Sequence, residues 1–350
     1  MDRELLDILQ VAVPLVERPF LEIARQLGTS EDEVLRRVGA MKGVIRQISA
    51  IFDSGALGYQ STLVAAKVAE EKIEEAARVI NQHPGVSHNY RREGEVVVGR
   101  HAFNLWYTLA VPPVGGDSRL GLEKTVEVLH RQSGAAVMRM MPTERVFKIG
   151  VRFDLSSEGV GVQDLSVERP APSQTAGLER VEVREEDKKF VRILQRDLPV
   201  MAEPFAMWAN EGGVTVEALL EAGREFVRRK WMRRFAAVLR HRAVGIAANA
   251  MGVWVVRPED AESFGQTAAV FKAVSHCYLR RSYSDWPFNM FTMVHAATAQ
   301  QCEEVMAAIS RETGVVKYAT LYSTKEYKKQ RVRYFTGDVE RWENEMTKFE

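Results

Sequence analysis

Apolar residues recur every three or four positions in E-L-L-D-I-L-Q, in F-L-E-I-A-R-Q-L-G and in T-S-E-D-E-V-L-R-R-V, the spacing that gives a helix one apolar face. Gly28 supplies the turn before the third segment, and Thr29 or Ser30 can cap it by accepting a backbone N–H. Three such helices predict a helix-turn-helix layout. The period then changes: I-R-Q-I-S-A-I-F alternates and reads as a hairpin-like wing. Beyond it the pattern predicts strand (S-T-L-V-A-A-K-V), helix (E-E-K-I-E-E-A-A-R-V-I), strand (V-S-H-N-Y-R-R), strand (F-N-L-W-Y-T-L-A-V), helix (L-E-K-T-V-E-V-L-H) and a last strand near R-V-F-K-I. That order is a ferredoxin-like β-α-β-β-α-β unit.

The succession is written twice. P-L-V-E-R-P-F at Pro14 to Phe20 returns as P-V-M-A-E-P-F at Pro199 to Phe205, an offset of 185 residues. I-R-Q-I-S-A-I-F returns as M-R-R-F-A-A-V-L from Met232, V-S-H-N-Y at Val86 to Tyr90 as V-S-H-C-Y at Val274 to Tyr278, and F-N-L-W as F-N-M-F. Kept order with drifting offsets marks two diverged copies of one unit, not a short solenoid repeat. Between them, the Ser-, Gly- and Pro-rich stretch from Ser156 has neither helical nor strand period and reads as a linker. The expected fold class is α+β, a tandem duplication of a winged helix-turn-helix module plus a ferredoxin-like unit. The expected boundaries are 1–58 and 59–155 for the first copy, 156–185 for the linker, and 186–246 and 247–350 for the second copy with a C-terminal tail. The two sheets should pack together within the chain, with the helical modules outboard. The same surfaces allow the fused chain to form a homodimer, and no residue decides it.

Composition narrows the function. A chain of 350 residues, 46% hydrophobic, can build two or three cores. Its longest apolar runs, such as A-A-N-A-M-G-V-W-V-V, fall far short of the roughly 20 residues a spanning helix needs, and M-D-R-E-L-L-D is no export signal. Two cysteines, Cys277 and Cys302, can build neither a disulfide framework nor a Cys-rich zinc site, which suits a cytoplasmic protein. A helix-turn-helix followed by a ferredoxin-like unit resembles the Lrp/AsnC class of transcription regulators, so a DNA-binding regulator is the alternative to an enzyme. Charge argues against DNA. Net charge is +1, the would-be recognition helix opens on Glu31, Asp32 and Glu33, and its counterpart has no basic residue before Arg224. The acids favour the positive helix N-terminus instead.

The shared motif is H-x-Y-x-R. On a strand, alternation puts His88, Tyr90 and Arg92 on one face, and His276, Tyr278 and Arg280 on one face. A proton donor titrating near neutrality, a phenol and a fixed cation suit an anionic substrate that must be held and protonated. Phe103, Trp106 and Tyr107 in one copy, and Trp286, Phe288 and Phe291 in the other, either flank a planar ligand or belong to the core. Cys277 alternates to the opposite face as packing, and His295 sits at a strand end as a structural residue.

P-L-V-E-R-P-F, G-V-I-R-Q-I-S-A-I-F-D-S, H-N-Y-R-R and F-N-L-W-Y-T resemble the first subunit of the siroheme decarboxylase family. W-M-R-R-F-A-A-V-L-R-H-R, N-A-M-G-V-W, A-V-S-H-C-Y-L-R, W-P-F-N-M-F-T-M-V-H and V-R-Y-F resemble the second. The resemblance implies a fused form of a two-subunit lyase that converts siroheme to 12,18-didecarboxysiroheme, in an alternative haem pathway or in making nitrite-reductase haem. It implies siroheme and related tetrapyrroles as ligands and no added cofactor, the iron being carried by the substrate. His276, His88 and His101 are the candidate acids, with His101 or His276 alternatively ligating the substrate iron. Arg280, Arg92, Tyr278, Tyr90, Arg100, Tyr283 and Trp286 are the candidate substrate contacts, Tyr283 and Trp286 from a loop that closes over the macrocycle. The first copy departs from the expected spacing: R-R-E-G-E-V-V-V-G-R-H-A-F-N is longer than R-R-S-Y-S-D-W-P-F-N, so residue-by-residue transfer stops around Arg100 and His101. The unequal loops favour one principal pocket, walled by His276, Tyr278 and Arg280 and by the loop of His101.

Overall fold

Pro19 and Gly28 set the limits of the second helix, the proline where a missing N–H costs nothing and the glycine where the chain turns left-handed at φ 63°. In the computed structural model, which describes residues 2–96, 99–100, 103–150, 152–154, 161–163, 183–240 and 248–346, the first module is α1 (Asp2–Val11), α2 (Pro19–Leu27), α3 (Glu31–Ala40) and β1 (Ile45–Phe52). Ser30 caps α3 by accepting from the Glu33 amide at 3.3 Å. The first ferredoxin-like unit follows as β2 (Gln60–Lys67), α4 (Ile73–Gln82), β3 (Val86–Glu93), the short β4 (Glu95–Val96) and β5 (Gly99–Arg100), β6 (Leu105–Val111), α5 (Gly121–Ser133) and β7 (Val137–Met141). Then come β8 (Thr143–Ile149) and a small hairpin of β9 (Arg152–Asp154) and β10 (Gly161–Gln163), the latter within the stretch read as an aperiodic linker. Most of that stretch lies outside the described residues.

The second copy repeats the plan: α6 (Glu185–Leu194), α7 (Pro204–Gly212), α8 (Val216–Arg228) and β11 (Met232–Leu239), then β12 (Ala248–Trp254), α9 (Ala261–Val270), β13 (Val274–Arg280), β14 (Met290–Ala296), α10 (Ala299–Thr313), β15 (Tyr318–Lys329) and a closing α11 (Asp338–Met346).

The chain divides into two compact units, and the division unites like with like. One holds both helical modules: Met1–Tyr59, Arg180–Val244 and Arg333–Thr336. The expected hairpin-like wing does not form. β1 instead pairs antiparallel with β11, Ile48 opposite Ala237 and Ala50 opposite Phe235, because each copy leaves one strand edge open and its diverged twin completes it. Phe20, Phe205, Trp208 and Phe226 are buried in this unit.

The second unit holds both ferredoxin-like halves. Their strands run β7-β2-β6-β3 and β15-β12-β14-β13, the same order twice, and join edge to edge into one 11-stranded sheet with β8 on its far side. Here the expected last strand is corrected: β7 closes the first half against β2, while R-V-F-K-I, as β8, crosses to pair with β13 of the second half. Pro142, which has no N–H to donate, separates the two strands. β15 makes the reciprocal crossing, pairing with β12 over Tyr318 to Tyr322 and with β3 as far as Lys329. Each crossing strand also carries a lysine to the other copy's helix. Lys148 Nζ donates to the carbonyls of Ala269 and Phe271 at the C-terminal end of α9 (2.8 and 3.0 Å), and Lys328 Nζ to those of Asn81 and His83 at the C-terminal end of α4 (2.7 and 3.1 Å). Cations there satisfy C-terminal carbonyls that the helix cannot.

Three apolar clusters follow. One lies under α4 and α5, another under α9 and α10, and the third on the opposite sheet face, where Phe103, Trp106 and Met141 of the first copy meet Trp286, Phe288 and Phe291 of the second. α11 fastens to the first copy: Trp342 packs on His83, and the buried Glu343 accepts from the Ser118 hydroxyl (2.6 Å) and the Arg119 amide (2.7 Å).

Candidate functional site

β3 and β13 occupy equivalent places in the sheet, and alternation splits their side chains as the spacing predicts. Asn89 turns toward the helices and donates to Asn81 Oδ1 at 2.9 Å. Cys277 turns the same way into the second core, where burial pushes its thiol up to about 12. On the other face stand the two rows. His88 and Tyr90 have ring centroids 6.1 Å apart, with the Arg92 guanidinium 5.3 Å from the Tyr90 ring centre. His276 and Tyr278 are 5.8 Å apart, with Arg280 4.7 Å from the Tyr278 ring and 5.5 Å from Phe291.

The arginines carry the electrostatics. Arg92 is 6% exposed and Arg280 9%, and among the described residues neither forms an ion pair with a carboxylate. Arg280 donates to the Met141 carbonyl of the first copy at 2.6 Å; Arg92 makes the reciprocal, looser bond to the Leu321 carbonyl of the second at 3.5 Å. Nε of Arg280 is buried with no hydrogen-bond partner among the described residues. Burial pulls both guanidinium groups down to about 10, offset in part by Tyr90 and Tyr278 respectively, which amounts to about 3 kcal/mol of lost solvation that no carboxylate among the described residues returns. Arginine is costly in such a place unless a ligand supplies the counter-charge.

The neighbours of the rows differ. Opposite His276 and Tyr278, β8 places Ile149 and Val146, and β14 places Met293 and Phe291. Opposite His88 and Tyr90, β15 places Lys329 and Glu326, and β6 places Thr108 and Trp106. Sequence reasoning passed over Ile149, Val146, Lys329 and Glu326 because strand exchange alone brings β8 and β15 alongside, whereas Phe291 and Trp106 were already among the aromatic candidates. It also passed over Ser87 and Ser275, which sit on the histidine Nδ1 atoms at 3.0 and 2.8 Å, although both serines were part of the repeated V-S-H-x-Y string.

The remaining candidates are dispersed. Trp286 is 1% exposed and buried against Trp106 and Phe103, so it is core, not a cover for a macrocycle; Phe103, Trp106, Tyr107, Phe288 and Phe291 are core as well. Tyr283 donates to the Met140 carbonyl and lines, with Arg281 and Lys124, a cavity of about 460 Å³ beside the start of α5 that includes neither row. His295 is buried on β14. Arg100 lies on β5, its side chain outside the described residues, as is His101 altogether. The acids of α3 serve the fold: Glu31 is buried against Arg18, and Arg36 and then Arg37 hold Glu33 down to about 2. Among the described residues no helix is long and apolar enough to cross a membrane, and no group of three or more His, Cys, Asp or Glu is placed to hold a metal ion.

A helix-turn-helix and a ferredoxin-like unit, each present twice, define an AsnC-like architecture: residues 56–148 and 243–328 match the model of the AsnC-like ligand binding domain. Residues 2–46 and 187–233 match that of the siroheme decarboxylase NirDL-like HTH domain. The chain is 38% identical over 346 residues to the siroheme decarboxylase of Hydrogenobacter thermophilus, covering 98% of this chain and 97% of that one. It superposes on crystal structures of the siroheme decarboxylase NirDL, free (TM-score 0.76, 33% identity) and in complex with an iron-uroporphyrin III analogue (TM-score 0.75, 32% identity), each comparison covering 99% of this chain and 98% of that chain. The chain belongs to the siroheme decarboxylase family.

Proposed function

We propose that this protein removes two acetate carboxyl groups from siroheme as carbon dioxide, yielding 12,18-didecarboxysiroheme. The observation that carries this reading is the pair of buried guanidinium groups, Arg92 and Arg280, each without a carboxylate partner among the described residues and each in line with a tyrosine and a histidine. A polycarboxylate tetrapyrrole supplies the missing anions, and arginine orients a carboxylate by paired hydrogen bonds.

The chemistry needs a proton and no added cofactor. His276 protonates the pyrrole carbon next to the one that bears the acetate, which leaves the acetate-bearing carbon electron-poor. The carbon–carboxylate bond then breaks, its electron pair forms the exocyclic double bond, and carbon dioxide leaves. Transfer of a proton from the ring carbon to the exocyclic carbon restores the pyrrole and leaves a methyl group. Each turn consumes one proton and releases one carbon dioxide. In this reading His276 is the principal acid, with Tyr278 and Arg280 beside it, and His88 is a second acid or a relic of duplication. Iron enters with the substrate, and neutral His276 can alternatively ligate it. Rate separates these roles: an acid loses activity as pH rises through its pKa, whereas a neutral ligand gains occupancy. The two free, buried cysteines suit a reducing cytoplasm.

Anaerobic incubation with siroheme, followed by mass spectrometry of the product, tests the proposal. The expected product has lost the mass of two carbon dioxide molecules. Unchanged siroheme together with sequence-specific retention of DNA would overturn it in favour of a regulator.

A further inference from the structure

The residue before each histidine is a serine, and its hydroxyl meets the histidine Nδ1 in both copies. In the second copy Ser275 is fully buried, with Oγ 2.8 Å from His276 Nδ1 and 3.3 Å from the carbonyl oxygen of Met293. A hydroxyl has one hydrogen, and a carbonyl oxygen can only accept. A single assignment satisfies both contacts: Ser275 donates to Met293 and accepts from Nδ1–H. In the first copy Ser87 meets Thr108 Oγ1 at 2.6 Å, the place Met293 holds in the second, so a hydroxyl stands where the second copy has a carbonyl. Either hydroxyl can donate, and Thr108 Oγ1 itself lies 3.4 Å from His88 Nδ1, so these contacts do not by themselves choose a tautomer for His88.

We infer that Ser275 is a positioning residue that locks neutral His276 in the Nδ1–H form, making Nε2 the nitrogen that takes up and delivers the proton. The inference rests on the reading of His276 as the acid, and it explains why one of two nearly identical histidines is equipped for that role. A serine oxygen accepting from Nδ1–H also binds the imidazolium more strongly than the neutral ring, so it favours the protonated acid. Among the described residues, the charged and titratable groups that share the face of His276 on β13 and β14 are Tyr278, Arg280 and His295; β8 places Ile149 opposite it.

Nitrogen-15 spectra of the full-length protein labelled at histidine, with His276 assigned by its loss in His276→Gln, read the tautomer directly. Above the pKa, the wild-type ring should carry hydrogen on Nδ1 and a lone pair on Nε2. Ser275→Ala should populate the opposite tautomer and shift the alkaline limb of the rate profile to lower pH by about half a unit to one unit, as for loss of one charge-assisted hydrogen bond. Ser275→Thr, which keeps the hydroxyl, should restore both. A wild-type ring with hydrogen on Nε2, or an unchanged tautomer in Ser275→Ala, overturns the inference; the wild-type spectrum decides even if the alanine variant fails to fold. Full turnover by His276→Gln would instead bring down the assignment of His276 as acid and leave the tautomer result standing.

Discussion

The row on β13 and the row on β3 carry the same three side chains in the same order, but in unlike surroundings. Around His276 and Tyr278 the opposing residues are Ile149, Val146, Met293 and Phe291; around His88 and Tyr90 they are Lys329, Glu326, Thr108 and Trp106. Arg280 is held by a 2.6 Å bond, Arg92 by one of 3.5 Å. Duplication copied the strand, but strand exchange gave each copy neighbours from the other, and those neighbours were free to diverge. Apolar neighbours weaken the solvation of a bound carboxylate, whose charge must be dispersed as carbon dioxide leaves, and they strengthen its pairing with Arg280. Charged neighbours favour holding a carboxylate that stays.

The proposed division of labour makes Arg280→Ala more damaging than Arg92→Ala. Removing one partner of a buried charge pair costs about 2–5 kcal/mol, so kcat/KM for siroheme should fall by roughly 30-fold to 4 × 10³-fold with Arg280→Ala and by less with Arg92→Ala. Steady-state kinetics of both variants decide it, and equal losses would erase the distinction between the rows.

A second contrast sits behind the rows. His83 follows α4 where Phe271 follows α9, and burial holds its imidazole down to about 3, against an ordinary 6.5. A depressed histidine takes up a proton only on unfolding, so its contribution to stability is full above about pH 6.5 and shrinks as pH falls, by about 2 kcal/mol at pH 5. His83→Phe, which copies the second half, should flatten the dependence of urea unfolding on pH between 7 and 5 by that amount. Parallel profiles would show that His83 titrates in the fold.

The smallest effect is expected at the edge of the first row. Lys329→Met should weaken siroheme binding about threefold at low salt and less at high salt, since a part-exposed charge contributes only about 0.5–1 kcal/mol. Titration of binding at two ionic strengths reads it; a loss independent of salt would mean that Lys329 acts through packing.

Much of this was legible in the chain. The duplication, the helix caps at Ser30 and Gly28, and the shared face of each H-x-Y-x-R row follow from local periods and repeated strings. Pairing between distant segments was not legible. Nothing local says that I-R-Q-I-S-A-I-F waits for M-R-R-F-A-A-V-L rather than folding back, or that R-V-F-K-I leaves its own half; Pro142 was the one local sign that β7 and β8 are separate strands. Trp286 shows the limit of reading aromatics, because ligand wall and core have the same composition and only burial tells them apart.

The most direct test of the unequal rows is single-turnover decarboxylation of siroheme by His276→Ala and His88→Ala, each measured separately and scored for mono- and didecarboxylated product. His276→Ala should slow the reaction by about 10²- to 10⁴-fold, the usual cost of losing a general acid, while His88→Ala retains most of the turnover or stalls at the monodecarboxylated product. Full activity in His276→Ala, or equal and complete loss in both variants, would contradict it.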